Sequence, residues 1–161
     1  MLTLTSSSLE HTAALGRLLA LALLHSPVRA LLLHGDLGSG KTTLTRAIVE
    51  ALPGGTEAEI CSPSFTICNQ YPTTPPVLHC DLYRCPQSPP DDVLDALDDT
   101  EGMDVLTIIE WANFLPKGAL PQEYLDITLQ TCKNNHSLTL QAHGAAAEML
   151  LRGLQQESQK S

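Results

Sequence analysis

A chain of 161 residues has room for one hydrophobic core, and 43% hydrophobic content makes it a folded globule rather than a disordered or low-complexity segment. The formal charge of −9 excludes a protein that grips nucleic acid through its own basic stripe, since Arg84 and Lys117 are the only cations between Arg46 and Lys133. Met1 to Ser8 lacks the basic-then-apolar start of a secretory signal, and the apolar run Leu18 to Leu24 is too short to cross a bilayer, so the expectation is a cytoplasmic protein with no membrane partner.

Leu2 to Thr5 reads as a first strand. Ser7 with Glu10 forms a capping box that opens a helix through Leu24. Ala30 to His34 is a short apolar strand, and Thr43 to Leu52 a helix stopped by Pro53-Gly54-Gly55. Ile67 to Tyr71 and Val77 to Asp81 are strands flanking the Pro-rich turn Pro72 to Pro76. Pro89-Pro90-Asp91-Asp92 opens a helix with proline and acids in its first turn. Asp104 to Glu110 is a second buried-type strand. Tyr124 to Leu129 and Ser137 to Leu140 alternate, predicting a hairpin through Lys133-Asn134-Asn135 before a last helix from Ala145 to Gln155. The pattern predicts an α/β P-loop NTPase-like three-layer fold with a mainly parallel core sheet and antiparallel edge strands. Residues 1–156 are expected to form a single domain and 157–161 a disordered tail.

Between the first apolar strand and its helix lies Gly35-Asp36-Leu37-Gly38-Ser39-Gly40-Lys41-Thr42, which fits the phosphate-binding pattern G-x-x-x-x-G-K-[ST]. The glycines let successive N–H groups face one anion, Lys41 supplies an ammonium for the β- and γ-phosphates, and the Thr42 hydroxyl suits Mg²⁺. A phosphate here sits at a helix N-terminus, where free N–H groups favour negative charge. Hydrolysis also needs a carboxylate near the metal. Glu110 ends an apolar strand at the rim where parallel sheets bind ligands, which makes it the Walker-B-type acid; its bland alternative is a solvated strand-end acid. Asp81 ends the other strand and would orient the attacking water or complete the metal shell. Trp111, the only tryptophan, reads locally as a core or interface anchor. His79 reads as a satisfied structural residue, and the six histidines show no metal-ligand spacing. The hydroxyl-rich run Ser62 to Thr66 is either a γ-phosphate switch or a polar loop fixed by Pro63. The acidic stretch Asp91 to Asp104 is a solvated helix face or a docking surface for a basic partner. Cys61, Cys68, Cys80, Cys85 and Cys132, an odd set without a Cys-x-x-Cys pair, predict reduced thiols rather than a disulfide framework or zinc site.

Taken in order, these pieces resemble the TsaE (YjeE) family, the bacterial ATPases of threonylcarbamoyladenosine formation in tRNA. The resemblance rests on the Gly35 to Thr43 loop, Ser62-Pro63-Ser64-Phe65-Thr66, Tyr71, His79-Cys80-Asp81-Leu82-Tyr83-Arg84 and Ile109-Glu110-Trp111. A weaker match runs from Leu120-Pro121 to Leu129, and Thr12-Ala13-Ala14-Leu15-Gly16 matches the family's opening helix. It implies ATP and Mg²⁺ as cofactors. ATP would be bound by Asp36, Gly38, Ser39, Gly40, Lys41, Thr42 and Thr43 together with Thr12, and the metal by Thr42 and Glu110. It also implies catalytic roles for Asp81, Glu110 and Trp111, partner subunits TsaD and TsaB, and tRNA met only through that complex. Departures from the family pattern are Ser64 for a usual Thr, Gln70 for a usual acid, Cys80 for a usual aromatic, and an Asp91 to Gly102 region without the usual Glu-Leu-Glu…Gly. A small-molecule or nucleotide kinase is the competing reading, but the scarcity of Arg and Lys leaves few cations for a lid. A non-hydrolysing nucleotide sensor is the third, and Glu110 argues against it.

Overall fold

Runs of aliphatic residues become central strands because both of their faces are covered, whereas alternating runs become strands with one open face. The structure is a computed structural model that describes residues 1–57, 67–132 and 135–158. Strand β1 (Leu2–Ser6) leads to helix α1 (Leu9–Leu24), β2 (Ala30–His34) to α2 (Lys41–Ala51), and β3 (Cys68–Tyr71) turns into β4 (Val77–Asp81). Helix α3 (Asp91–Asp98) precedes β5 (Leu106–Glu110), and β6 (Tyr124–Cys132) pairs with β7 (Asn135–His143) before α4 (Ala145–Ser158). All seven strands join one sheet in the order β1-β7-β6-β2-β5-β4-β3. Strands β6, β2, β5 and β4 run parallel, while β1, β7 and β3 pair antiparallel at the flanks. That is the parallel middle with antiparallel edges the sequence predicts.

Alternation along each strand assigns the two faces. Leu31, Leu33, Leu106, Ile108 and Val77 join an aliphatic layer with residues of α1, α2 and α4. Leu32, Ile109, Leu78 and Cys80 face the other way, into a smaller cluster with Val93 and Leu97 of α3. Helix α1 lies close on α2 because Gly16 has no side chain; a Cβ there would collide with that of Ala47.

Four expectations need correction. Ser8, not Ser7, caps α1 by accepting from the His11 N–H, because β1 runs one residue further and Ser6 stays paired with His136. Strand β5 starts at Leu106, since Asp104 turns outward to bind Arg29. Helix α4 continues through Ser158, three residues past the expected end at Gln155. Most notably, Cys68 and Cys80 are joined by a disulfide, against the expectation of reduced thiols. The β3–β4 register sets them directly opposite one another, a neighbourhood no sequence-spacing rule detects. Cys85 is a free, buried thiol. Lys133 and Asn134 of the predicted hairpin turn lie outside the described residues, and the strands beside them run longer than the apolar alternation alone indicates.

Candidate functional site

Strand pairing brings the predicted chemistry to one rim. Glu110 at the end of β5 pairs with Leu33 of β2 on one side and with Asp81 of β4 on the other. The 35–40 loop leaves β2 at that same rim and turns with positive φ at Gly35, Gly38 and Gly40. At Gly35 a side chain would strike the Leu129 carbonyl and the Ser39 hydroxyl. Gly40 is the N-cap of α2 and has no side chain to cap the first turn, the end of a helix where N–H groups favour an anion.

A cleft of about 260 Å³ opens there, lined by Leu37, Gly38 and Gly40 to Thr43 together with Asp81, Tyr83, Glu110 and Trp111. Lys41 is only 5% exposed, and its Nζ donates to the carbonyl oxygens of Gly35 at 2.7 Å and Asp36 at 2.9 Å. The same ammonium sits 4.1 Å from the centre of the Trp111 ring, within cation–π range. Burial pushes the Lys41 ammonium below the usual lysine range, an effect opposed by Glu110, Asp81 and Asp36. Burial also pushes the Asp81 carboxyl above the usual aspartate range; a hydrogen bond from the Tyr83 N–H, 3.0 Å away, partly counters this, and Glu110 adds to it. Glu110 is 2% exposed, and its Oε2 accepts from Thr42 Oγ1 at 3.0 Å. Trp111 takes φ 58°, a left-handed conformation unusual for a bulky residue, and lies between Tyr83 and Phe114.

The residues present fit a nucleotide phosphate with its divalent metal. Among the described residues, Ser39 Oγ is buried without a hydrogen-bond partner, but it lies on the inner side of the loop beside Gly35 and outside the cleft lining. A Cβ on Gly38 would meet nothing, so the loop is open on its outer side. Thr42 and Glu110 place a hydroxyl and a carboxylate together, a donor set suited to a hard cation.

Of the expected residues, Gly38, Gly40 to Thr43, Asp81, Glu110 and Trp111 line this cleft; Asp36 and Ser39 lie in the same loop outside the lining, and Thr12 is not among the lining residues. Thr12 is buried at the β1–α1 corner, where its hydroxyl shares a 2.7 Å hydrogen bond with Ser6, and it is absent from the cleft lining. Ser62 to Thr66 lie outside the described residues. His34 and His143 both approach Asp126 on the open side of the sheet, and no group of described residues forms a metal cluster. A larger cavity of about 850 Å³ lies by the start of β5, away from the loop, and carries none of this chemistry. Three residues to which the sequence assigned no part in the site take one here: Tyr83 lines the cleft, while Thr45 and His79 bond Glu110. Spacing held the signal, since Thr45 follows Thr42 by one helical turn and His79 precedes Asp81 by one strand repeat.

Residues 6–139 match the family model described as threonylcarbamoyl adenosine biosynthesis protein TsaE. The tRNA threonylcarbamoyladenosine biosynthesis protein TsaE of Bacillus subtilis is 35% identical over 147 residues, covering 90% of this chain and 88% of its own. Its counterpart from Mycobacterium tuberculosis is 34% identical over 136 residues, covering 80% of this chain and 78% of its own. The crystal structure of Bacillus subtilis YdiB superposes with a TM-score of 0.77 at 32% identity, covering 98% of this chain and 95% of that one. Sequence and backbone agree over most of the length, and the chain belongs to the TsaE family.

Proposed function

We propose that this chain is a Mg²⁺-dependent P-loop ATPase that supports threonylcarbamoyl transfer to adenosine in tRNA, acting with TsaB and TsaD. The observation that carries the reading is the buried Glu110 carboxylate bonded to Thr42, the residue that follows the loop lysine. Its names come from relatives that are tRNA threonylcarbamoyladenosine biosynthesis proteins.

In this reading the N–H groups of the loop, that of Ser39 included, and of the first turn of α2 hold the phosphates. Lys41 turns from the Gly35 and Asp36 carbonyls toward the β- and γ-phosphates. Thr42 and Glu110 would hold Mg²⁺, which would supply charge neutralisation where negative charge grows in phosphoryl transfer. Asp81 orients the attacking water, and its upward-shifted carboxyl lies nearer to working pH than an ordinary aspartate. Trp111 packs beside Lys41 and shields the cleft. Thr12, hydrogen-bonded to Ser6 at the start of α1, keeps its ATP contact on the family resemblance alone. Ser62 to Thr66 are assigned the γ-phosphate-sensing role on sequence position alone.

A net charge of −9 leaves little counterion release to drive tRNA binding, so tRNA is met through the partner subunits. A cytoplasmic location follows from that proposed pathway and draws no support from the cysteines, since Cys68 and Cys80 are bridged. Among the described residues no helix is long and apolar enough to cross a membrane. The test is phosphate release from ATP with and without purified TsaB and TsaD. Mg²⁺-dependent release that the partners stimulate is expected. Transfer of the phosphate to a small acceptor would instead establish a kinase.

A further inference from the structure

Below the rim, a string of polar groups runs into the aliphatic layer beneath α2. His79, in the middle of β4, is 0% exposed, and its Nε2 lies 2.9 Å from Glu110 Oε1. The same oxygen accepts from Thr45 Oγ1 at 3.3 Å, while Oε2 faces Thr42. On the far side of the imidazole, the Tyr71 hydroxyl of β3 is 3.5 Å from Nδ1, and the two rings stack. The strand register explains the string: Val77, His79 and Asp81 share a face of β4, and Ile108 and Glu110 share that face of β5. At the His79 position an aliphatic side chain would match neighbours such as Val77 and Ile108. A buried polar ring there needs a reason, because burial of a polar group costs free energy unless its hydrogen bonds are made.

The hydrogen-bond pattern also assigns the tautomer. A carboxylate only accepts, so Nε2 carries the proton and donates to Oε1; Nδ1 then accepts from the Tyr71 hydroxyl.

We infer that His79 is a positioning residue for Glu110: with Tyr71 behind it, it pins Oε1 and leaves Oε2 directed at Thr42 and the cleft, where the metal of a bound nucleotide belongs. The inference rests on the ATPase reading above. Hydrogen bonds of this kind behind a metal-binding carboxylate typically hold about 10–100-fold of metal affinity or activity.

The test compares His79→Leu, His79→Gln and His79→Asn in the full chain. Nucleotide binding is followed by calorimetry in EDTA and then during a Mg²⁺ titration at saturating ATP. Leucine fills the space without a donor. The glutamine amide reaches the Nε2 position, and the asparagine amide stops short of it. The expected result is metal-free ATP affinity within about twofold of wild type throughout, with Mg²⁺ affinity about 10–100-fold weaker in His79→Leu and His79→Asn and largely restored in His79→Gln. If His79→Leu does not fold, the Gln and Asn variants decide the same question. Equal Mg²⁺ affinity in the Gln and Asn variants, or wild-type Mg²⁺ affinity in His79→Leu, overturns the inference and leaves the ATPase reading intact. A wild-type chain whose ATP binding does not respond to Mg²⁺ overturns the ATPase reading and the inference with it.

Discussion

The central strands lead two lives along their length. Within the sheet, Leu31 and Leu33 of β2 and Leu106 and Ile108 of β5 are buried among aliphatic neighbours of α1, α2 and α4. A residue or two later the same strands end at a rim that buries Lys41 and Glu110, half-buries Asp81 and twists Trp111 into a left-handed conformation. The aliphatic layer satisfies local rules everywhere, and its contacts serve stability. At the rim, burial works against the charged forms of Lys41 and Asp81, so those groups are costly to hold, a pattern that clusters at functional sites. Substitutions should therefore separate cleanly: in the layer they cost stability, and at the rim they cost chemistry.

The layer should show the largest effect. Ile108→Ala removes a fully buried side chain between two covered faces and should destabilise the chain by about 2–5 kcal/mol, read from urea unfolding midpoints. That is a large share of the roughly 5–15 kcal/mol that holds a domain folded. A loss below about 1 kcal/mol would mean that the layer repacks and that the contrast with the rim is false.

At the rim, Lys41→Ala should weaken ATP binding by about tenfold or more, on the order of 1.4 kcal/mol, because the loop loses its only cationic side chain. Glu110→Gln should instead keep ATP binding and slow hydrolysis by about tenfold or more, since an amide is a poor partner for Mg²⁺. Calorimetry and phosphate release measured on both variants decide the matter. Wild-type turnover in Glu110→Gln would move the metal to another carboxylate, with Asp81 first in line.

Asp81 sharpens the comparison through pH. A carboxyl held above its unfolded value keeps its proton more tightly in the folded chain. Its contribution to stability is therefore full below the unfolded value and disappears as pH rises through the raised one. Asp81→Asn should consequently raise the melting temperature at pH 7 while lowering hydrolysis, and the thermal gain should shrink as pH falls into the range where Asp81 protonates. A variant that melts lower than wild type at pH 7 would show that the carboxylate is stabilised there, contrary to its burial.

This division also sets what was legible beforehand. The bounds of β2 and β4 could be read from the sequence because an apolar run between turn residues has one physical solution, and the loop because its glycines and lysine stand in a fixed order. Boundaries that depend on pairing rather than burial were not. Gln130, Thr131 and Cys132 extend β6 through its ladder with β7, and Ser6 extends β1 in the same way. The Cys68–Cys80 bridge and the His79–Glu110 contact are both cross-strand facts, fixed by register across twelve and thirty-one residues of sequence. The backbone turn at Trp111 carries no signal at all, because tryptophan is among the last residues one would assign to positive φ.

That turn supports the smallest effect. The indole touches the Lys41 ammonium on its face and the rings of Tyr83 and Phe114 on its flanks. In the present arrangement Lys41 is held back by the Gly35 and Asp36 carbonyls. Binding a triphosphate must draw the ammonium forward, changing the charge seen by the ring. As this is the only tryptophan, its fluorescence should change in intensity or wavelength when Mg-ATP is added, and the change should vanish in Lys41→Ala. Trp111→Phe keeps a ring in place but weakens the cation–π contact, so its cost should be about 0.5–1 kcal/mol in nucleotide affinity. An unmoved spectrum together with an unchanged affinity would make Trp111 a packing residue of the smaller core, allied with the layer and not with the rim.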